Sequence, residues 1–296
     1  MKPEEKSSLK DSHMISVVIP TIGRESLELC KEALKKQTRP PDEVVVVMDH
    51  ERRGAGWARN EGIRRSGGGL IAFLDDDCIP PPDWLENLID ALDRHRADGV
   101  GGTYKEADPF LSAVRRRRGI PESEQIDLSG LVGTGGNVMY RRQCLDACAK
   151  GDGFIFNESF RISQDIEMAW RLRARGARLV FVPTKVKHLR RATFFSYLRF
   201  QFWRGTAIAD LHRAQRERHY GVPLQKSLLW EQSESGDRSR WFRVMWLKLL
   251  GPFDYRSFNG PRDFLLFWLG EKFQGAGFLF CMVFRTVGSR SPRKKV

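Results

Sequence analysis

The sequence predicts an α/β fold: a doubly wound, mostly parallel sheet with an α-helical, aromatic-rich C-terminal region. Three observations carry this. Short β-branched runs alternate with stretches of helical apolar spacing. Those runs end on Pro-Thr, on a single Asp or on an acidic triplet, at the strand ends where open α/β sheets bind ligands. After His188 the chain turns basic and aromatic.

The elements follow in order. Residues 1–13 read as a flexible tail, 14–190 as the α/β domain and 191–296 as a helical region. Ile15–Ile19 is an apolar strand that stops at Pro20-Thr21. Leu27, Cys30 and Leu34 give 25–37 a helical face, closed by Pro40-Pro41. Val44–Met48 is a second strand ending at Asp49, and 55–66 a helix bounded by Gly67–Gly69. Leu70–Leu74 is a third strand that runs into Asp75-Asp76-Asp77. Pro80–Pro82 and Asp83 open a helix to about His95, and Val100 begins a short strand. Pro109–Gly136, with its Arg115–Arg118 run, reads as a mobile loop near the site. Asn137–Tyr140 is a strand, Arg142–Lys150 a short helix, Gln164–Arg175 a helix and Leu179–Val182 the last core strand.

Composition narrows the function classes. A 41% hydrophobic content excludes a disordered chain, while 29% charged residues and a mean hydropathy of −0.44 argue against a polytopic membrane protein. The 5 cysteines form no Cys-x-x-Cys pair, which excludes a disulfide framework and a structural zinc site as expectations. The polar N-terminus shows no apolar secretory stretch, so a cytoplasmic location is expected. Residues 1–184 hold 28 Lys+Arg against 29 Asp+Glu, whereas 185–296 hold 22 against 8. That basic region would meet an anionic membrane surface or nucleic acid. Trp241–Leu250 mixes Trp and Leu with Arg243 and Lys248, as interfacial helices do. Phe264–Leu269 and Phe278–Phe284 are apolar, but Glu271, Lys272 and Gln274 lie between them. Nothing reaches the roughly 20 apolar residues of a spanning helix.

Three consecutive carboxylates at a strand end repel one another unless a cation joins them. They suit Mg²⁺ or Mn²⁺, hard ions that share carboxylate and phosphate oxygens. An acidic cluster at a helix N-terminus is the alternative reading, since a helix follows.

Val18-Ile19-Pro20-Thr21, Asp49, Ala58-Arg59-Asn60-x-Gly62 and Asp75-Asp76-Asp77-Cys-Ile-Pro80-x-Pro82-x-Trp84-Leu85 together resemble the inverting nucleotide-sugar glycosyltransferases of family 2, with the GT-A fold. The resemblance runs from about Ile15 to His188. It implies that Pro20, Thr21 and Arg24 lie against the nucleotide, that Asp49 accepts from the base and that Arg59 steadies the donor. It places Asp75 on the ribose side, with Asp76 beside it, and gives Asp77 the metal on the diphosphate. Gly135-Gly136-Asn137 and Tyr140-Arg141-Arg142 resemble the family's donor-sugar and acceptor wall. Asp165 matches the base that takes the acceptor's proton, although Gln164 stands where the family carries Glu. Glu167 is given no catalytic role, and Asn60 a structural one. His188 resembles a further metal or diphosphate ligand.

Gln201-x-x-Arg204-Gly205 resembles the Gln-x-x-Arg-Trp motif of processive synthases, with Gly205 in place of the stacking tryptophan. The resemblance therefore implies a metal-dependent enzyme that moves one sugar from a nucleoside-diphosphate sugar to a glycan or lipid-linked acceptor. It would act as a peripheral protein on the inner face of the cell membrane. Two rival readings are a sugar nucleotidyltransferase, whose Gly-rich phosphate loop Pro20–Arg24 resembles only faintly, and a nucleic-acid-binding protein, drawn from a pI near 9.8. The acidic triplet argues against nucleic acid.

Overall fold

The computed structural model describes residues 14–117, 123–126, 135–218 and 261–284. The predicted tail at 1–13, the stretch 127–134 and the segment Trp241–Leu250 lie outside the described residues. The described residues form two compact units, one of residues 14–191 and one of 192–218 with 261–284.

The first unit is built on an eight-stranded sheet of order β2-β1-β3-β7-β5-β8-β4, with β6 also paired to β8. Its strands are β1 Ile15–Thr21, β2 Glu43–Met48, β3 Leu70–Leu74, β4 Cys78–Ile79, β5 Gly99–Glu106, β6 Gln125–Ile126, β7 Asn137–Arg141 and β8 Leu179–His188. β1, β2, β3, β5 and β8 run one way, while β4, β6 and β7 are reversed. The helices are α1 Ser26–Lys35, α2 Ala55–Arg65, α3 Trp84–Arg94, α4 Pro109–Arg117, α5 Arg142–Asp152 and α6 Gln164–Ala174.

Side-chain alternation along each strand explains why helices cover both faces. Ile15, Val17 and Ile19 of β1 join Leu70, Ala72 and Leu74 of β3 on one face, under Cys30 and Leu34 of α1 and Leu85, Leu88 and Leu92 of α3. Val18, Ile71 and Phe73 point the other way, into Ile63 of α2, Leu145 and Cys148 of α5 and Met168 and Leu172 of α6.

Three expectations need correction. Pro109–Gly136 is not one loop: Phe110, Ala113 and Val114 bury one face of α4, and Gln125–Ile126 pairs with β8. β5 is not short but 8 residues long, because its polar end at Thr103–Glu106 pairs with Lys185–His188. The last core strand likewise continues past Val182, and Pro183 is tolerated because it lies where the β5–β8 register shifts.

The second unit contains α7, Phe194–Arg218, and α8, Pro261–Phe284. The two apolar segments expected around Glu271–Gln274 are parts of the single helix α8. The α7 and α8 backbones approach closely at Gly205, where a Cβ would stand 1.9 Å from the Gln274 carbonyl oxygen. Glycine at this point of the Gln-x-x-Arg motif thus has a packing reason. Gln201 is 1% exposed and Tyr197 is likewise buried. Among the described residues, no helix is long and apolar enough to cross a membrane.

Gly205→Ala is expected to loosen this helix pair. Overpacking of this kind costs about 1–3 kcal/mol. Hydrogen exchange should accelerate across α7 and α8 while β1 and β3 keep their protection.

Candidate functional site

The carboxyl ends of β1, β2 and β3 and the start of reversed β7 meet at one edge, since Thr21 pairs with Met48 and Leu74 with Asn137. Asp75, Asp76 and Asp77 leave that edge, and each turns to different partners. Asp75 Oδ1 accepts from Arg59 Nη2 at 2.9 Å. Asp76, 1% exposed, accepts from Thr21 Oγ1 and Arg24 Nη1, both at 2.5 Å. Asp77 stands 3.4 Å from His188 Nε2 and 3.3 Å from Arg24 Nη1. The Pro20-Thr21 end of β1 thereby carries one partner of the triplet directly. Asp49 is buried at the end of β2, and its oxygens accept from the N–H groups of Arg53 and Gly54, shaping the turn into α2.

Gly136 fits between Asp75 and β7, where a Cβ would come within 2.1 Å of Asp75 Oδ2. Its N–H donates to the Tyr104 hydroxyl, which itself lies 3.4 Å from Asp75 Oδ2. Asn137 departs from the expected sugar contact. It is fully buried, donates to the Thr103 and Thr184 carbonyls and accepts from Trp84 Nε1. Its amide therefore bridges the irregular part of β5–β8 and has a framework role. Tyr140, Arg141 and Arg142 also depart from the expected acceptor wall. Because β7 is reversed, they lie at the opposite end of the sheet, where Arg142 donates to the carbonyls of Ser66 and Gly68 and Arg141 pairs with Asp93.

Asp165 opens α6, just after Ser163, whose φ of 66° is a left-handed conformation that non-glycine residues rarely adopt. Its Oδ2 accepts from Gly135 N–H at 2.8 Å and its Oδ1 from Ile166 N–H at 3.0 Å. Burial raises its pKa above the ordinary carboxylate value, opposed by the Arg59 charge and the Gly135 N–H. Arg59 links Asp165 to Asp75 electrostatically and lies 5.7 Å from the Phe156 ring. Arg59 Nε and Gln164 Oε1 are buried without a hydrogen-bond partner. Buried polar atoms are nearly always paired, so two orphans near Asp165 are an unusual cost for the fold to carry at this place.

Behind this surface, Asn60 bonds both to the Phe156 backbone and to Glu158, as its structural reading implies. Glu167, also outside the site, is fully buried and pairs with Arg171. Arg171 in turn donates to Asp152 and to the carbonyls of Phe154 and Ile155, fixing the segment that presents Phe156.

Asp77, Cys78 and His188 bring one donor atom each within 4.8 Å of one another. Desolvation would raise the Asp77 pKa, but His188 and Arg24 hold it below its ordinary value. Burial opposes the charge on His188, yet Asp77 and Glu106 raise its pKa to about 9. The Cys78 thiol is pushed far up by burial and stays protonated, a poor ligand for a hard ion. Asp77 and His188 stand side by side at 3.4 Å, and the raised pKa of His188 means that a cation bound there would have to displace the proton on Nε2. That donor pair fits a divalent cation. The residues the sequence reading missed are Tyr104, Glu106 and Arg115. Each reaches the site through the β5–β8 pairing or α4, which no local pattern displays.

Comparison with known proteins fits this geometry. Residues 47–148 match the family described as Glycosyl transferase family 2. Glycosyltransferase AglE of Haloferax volcanii is 28% identical over 123 residues, 32% of this chain and 40% of that protein. The glucosyl-dolichyl phosphate glucuronosyltransferase of the same organism is 30% identical over 117 residues, 30% of this chain and 37% of that protein. These matches span less than half of either relative. A mannosyltransferase from Pyrobaculum calidifontis, solved in complex with GDP-Man and Mn²⁺, superposes with a TM-score of 0.60 at 14% identity, over 92% of this chain and 88% of that one. Residues 47–148 thus carry the match to Glycosyl transferase family 2, within a unit that has the GT-A fold.

Removing one member of the buried pair Glu167–Arg171 on α6 should be costly. Glu167→Gln leaves Arg171 buried with reduced compensation, and breaking such a pair costs about 3–5 kcal/mol. Urea unfolding of the two proteins side by side measures the loss.

Proposed function

We propose that this protein is a metal-dependent inverting glycosyltransferase that moves one sugar from a nucleoside-diphosphate sugar to an acceptor hydroxyl. One observation carries the reading: Asp165, a half-buried carboxylate of raised pKa, shares Arg59 with Asp75 of the acidic triplet. A base and a donor-holding group thus meet at one edge of the sheet.

The chemistry follows from these residues. Arg59, Asp75, Gly136, Thr21 and Arg24 hold the donor, with buried Asp76 fixing Thr21 and Arg24 from behind and Asp49 shaping the nucleotide end. Asp77 and His188 would hold the divalent ion, which when bound offsets the charge of the departing diphosphate. Asp165 accepts the acceptor's hydroxyl proton as that oxygen forms its bond to the anomeric carbon. The bond from that carbon to the diphosphate oxygen breaks with its electron pair, on the opposite face, so the configuration inverts. Fixed placement of base and donor supplies much of the acceleration.

We assign catalysis to residues 14–190 and membrane association to 191–296. Support for a membrane-held acceptor comes from the +14 balance of residues 185–296, which hold 22 basic against 8 acidic residues. Phe195 is 80% exposed on α7, and Leu265, Phe273 and Phe280 are exposed on α8. A relative acts on a dolichyl phosphate-linked glucose, by its name. A lipid-linked glycan acceptor at the inner membrane face fits these features.

A hydrolysis and transfer screen over nucleotide sugars with Mn²⁺ and Mg²⁺ tests the activity; EDTA-insensitive transfer contradicts it. Asp165→Asn is expected to keep donor binding and lose transfer by about 10²–10⁴-fold. The acid limb of kcat/KM should lie above the ordinary Asp value of about 4, because the base must be ionised and burial raises its pKa. Arg59→Gln should move that limb higher still, by removing the charge that opposes the rise.

Flotation with anionic and neutral vesicles checks the membrane reading. The full chain should float with anionic vesicles at low salt, and less at high salt. Binding indifferent to lipid charge contradicts it.

A further inference from the structure

Glu106 has no part in the donor or base machinery, yet it is the closest partner of His188. It ends β5, and the parallel register sets it directly opposite His188, the last residue of β8. The His188 Nδ1–H group lies 2.8 Å from Glu106 Oε2. The side chains are 7% and 14% exposed, so little water competes for this contact. The other carboxylate oxygen is already engaged: Arg115 of α4 approaches Oε1 from Nε at 3.0 Å and from Nη2 at 2.9 Å. Arg115 also donates to Thr103 Oγ1 and lies 5.0 Å from the Tyr104 ring. Tyr104 in turn faces the imidazole, with ring centroids 5.0 Å apart and planes tilted by 33°. The imidazole is thus fixed at its Nδ1 edge by Glu106 and on one face by Tyr104.

This arrangement decides which nitrogen a cation can reach. With the Nδ1 proton committed to Glu106, Nε2 is the nitrogen that faces Asp77, at 3.4 Å, and a cation binding there takes the place of the Nε2 proton. A carboxylate behind a histidine fixes ring orientation and raises the basicity of the far nitrogen. An imidazole nitrogen favours a transition ion over Mg²⁺, which prefers oxygen alone.

We propose that Glu106 is the positioning residue of the cation site: through His188 it sets the affinity for Mn²⁺ and the preference for Mn²⁺ over Mg²⁺. Arg115 supports it by holding the carboxylate in place. The proposal rests on the reading of Asp77 and His188 as cation ligands, and it adds the group that aims one of them.

The test is calorimetric titration of the full chain with Mn²⁺ alone and with Mg²⁺ alone, for wild type, Glu106→Ala, Glu106→Gln, His188→Ala and Asp77→Ala. Glu106→Ala should weaken Mn²⁺ by about 10–100-fold, the usual loss for a partner behind a ligating histidine. Glu106→Gln should lose less, because its amide oxygen still accepts from Nδ1–H. Mg²⁺ affinity should change by a smaller factor, so that the Mn²⁺ preference narrows. A general disturbance would weaken both ions alike, and that outcome overturns the proposal. So does wild-type Mn²⁺ affinity in both Glu106 variants while His188→Ala and Asp77→Ala lose the ion. Wild-type affinity in His188→Ala and Asp77→Ala would instead overturn the cation site itself. If Glu106→Ala does not fold, a Glu106→Gln protein of wild-type stability decides by the same ratio of the two affinities.

Discussion

Asp75, Asp76 and Asp77 place three negative charges on consecutive residues at the end of a buried strand, and the domain is arranged around separating them. Each carboxylate points in its own direction to its own counter-charge: Arg59 from α2, Arg24 with Thr21 at the end of β1, and His188 from β8. Without those partners the repulsion would push protons onto the triplet or pull the strand end into solvent. Three distant segments are thereby drawn to one place by a single local excess of charge. The result is a division of labour, in which Asp76 is 1% exposed and committed to the framework, while Asp75 and Asp77 keep part of their surface accessible.

The same separation explains the layering behind the site. Arg59 is buried, so its charge must be answered on the far side, and it is answered by Asp75 and the field of Asp165. Phe156 closes the remaining face, and it is held in turn by Asn60 and by the segment that Arg171 gathers. The buried pair Glu167–Arg171 gains its value here. Its desolvation is expensive, but it fixes the backbone that shields a charged side chain of the site.

Some of this was legible in the chain and some was not. The strands Ile15–Ile19 and Leu70–Leu74 are covered on both faces, so each reads as an unbroken apolar run with turn residues at its end. The long motif from Asp75 to Leu85 gave the family, because strand end, acidic triplet and helix start follow one another without interruption. A polar residue beside glycines has the local pattern of a ligand contact, whereas Asn137 bridges the Thr103 and Thr184 carbonyls of two strands. Strand direction leaves no local mark in the sequence, and reversing β7 carries Tyr140–Arg142 away from the site. α4 was hidden by its own arginines, though Phe110, Ala113 and Val114 have helical spacing. Glu106 could not be found at all, since it is 82 residues from His188 and only strand pairing unites them.

The irregular pairing between β5 and β8 has one further consequence. Beyond the shift, Thr103 to Glu106 run in step with Lys185 to His188, residue for residue, to the end of both strands. Successive side chains alternate between the two faces of a sheet, so a gain or loss of one residue in either four-residue stretch would turn its last side chain to the wrong side. A loop can absorb an added residue by bulging outward, whereas a paired strand cannot. Insertions or deletions in these two stretches should therefore be far rarer among descendants of this chain than in the surrounding segments.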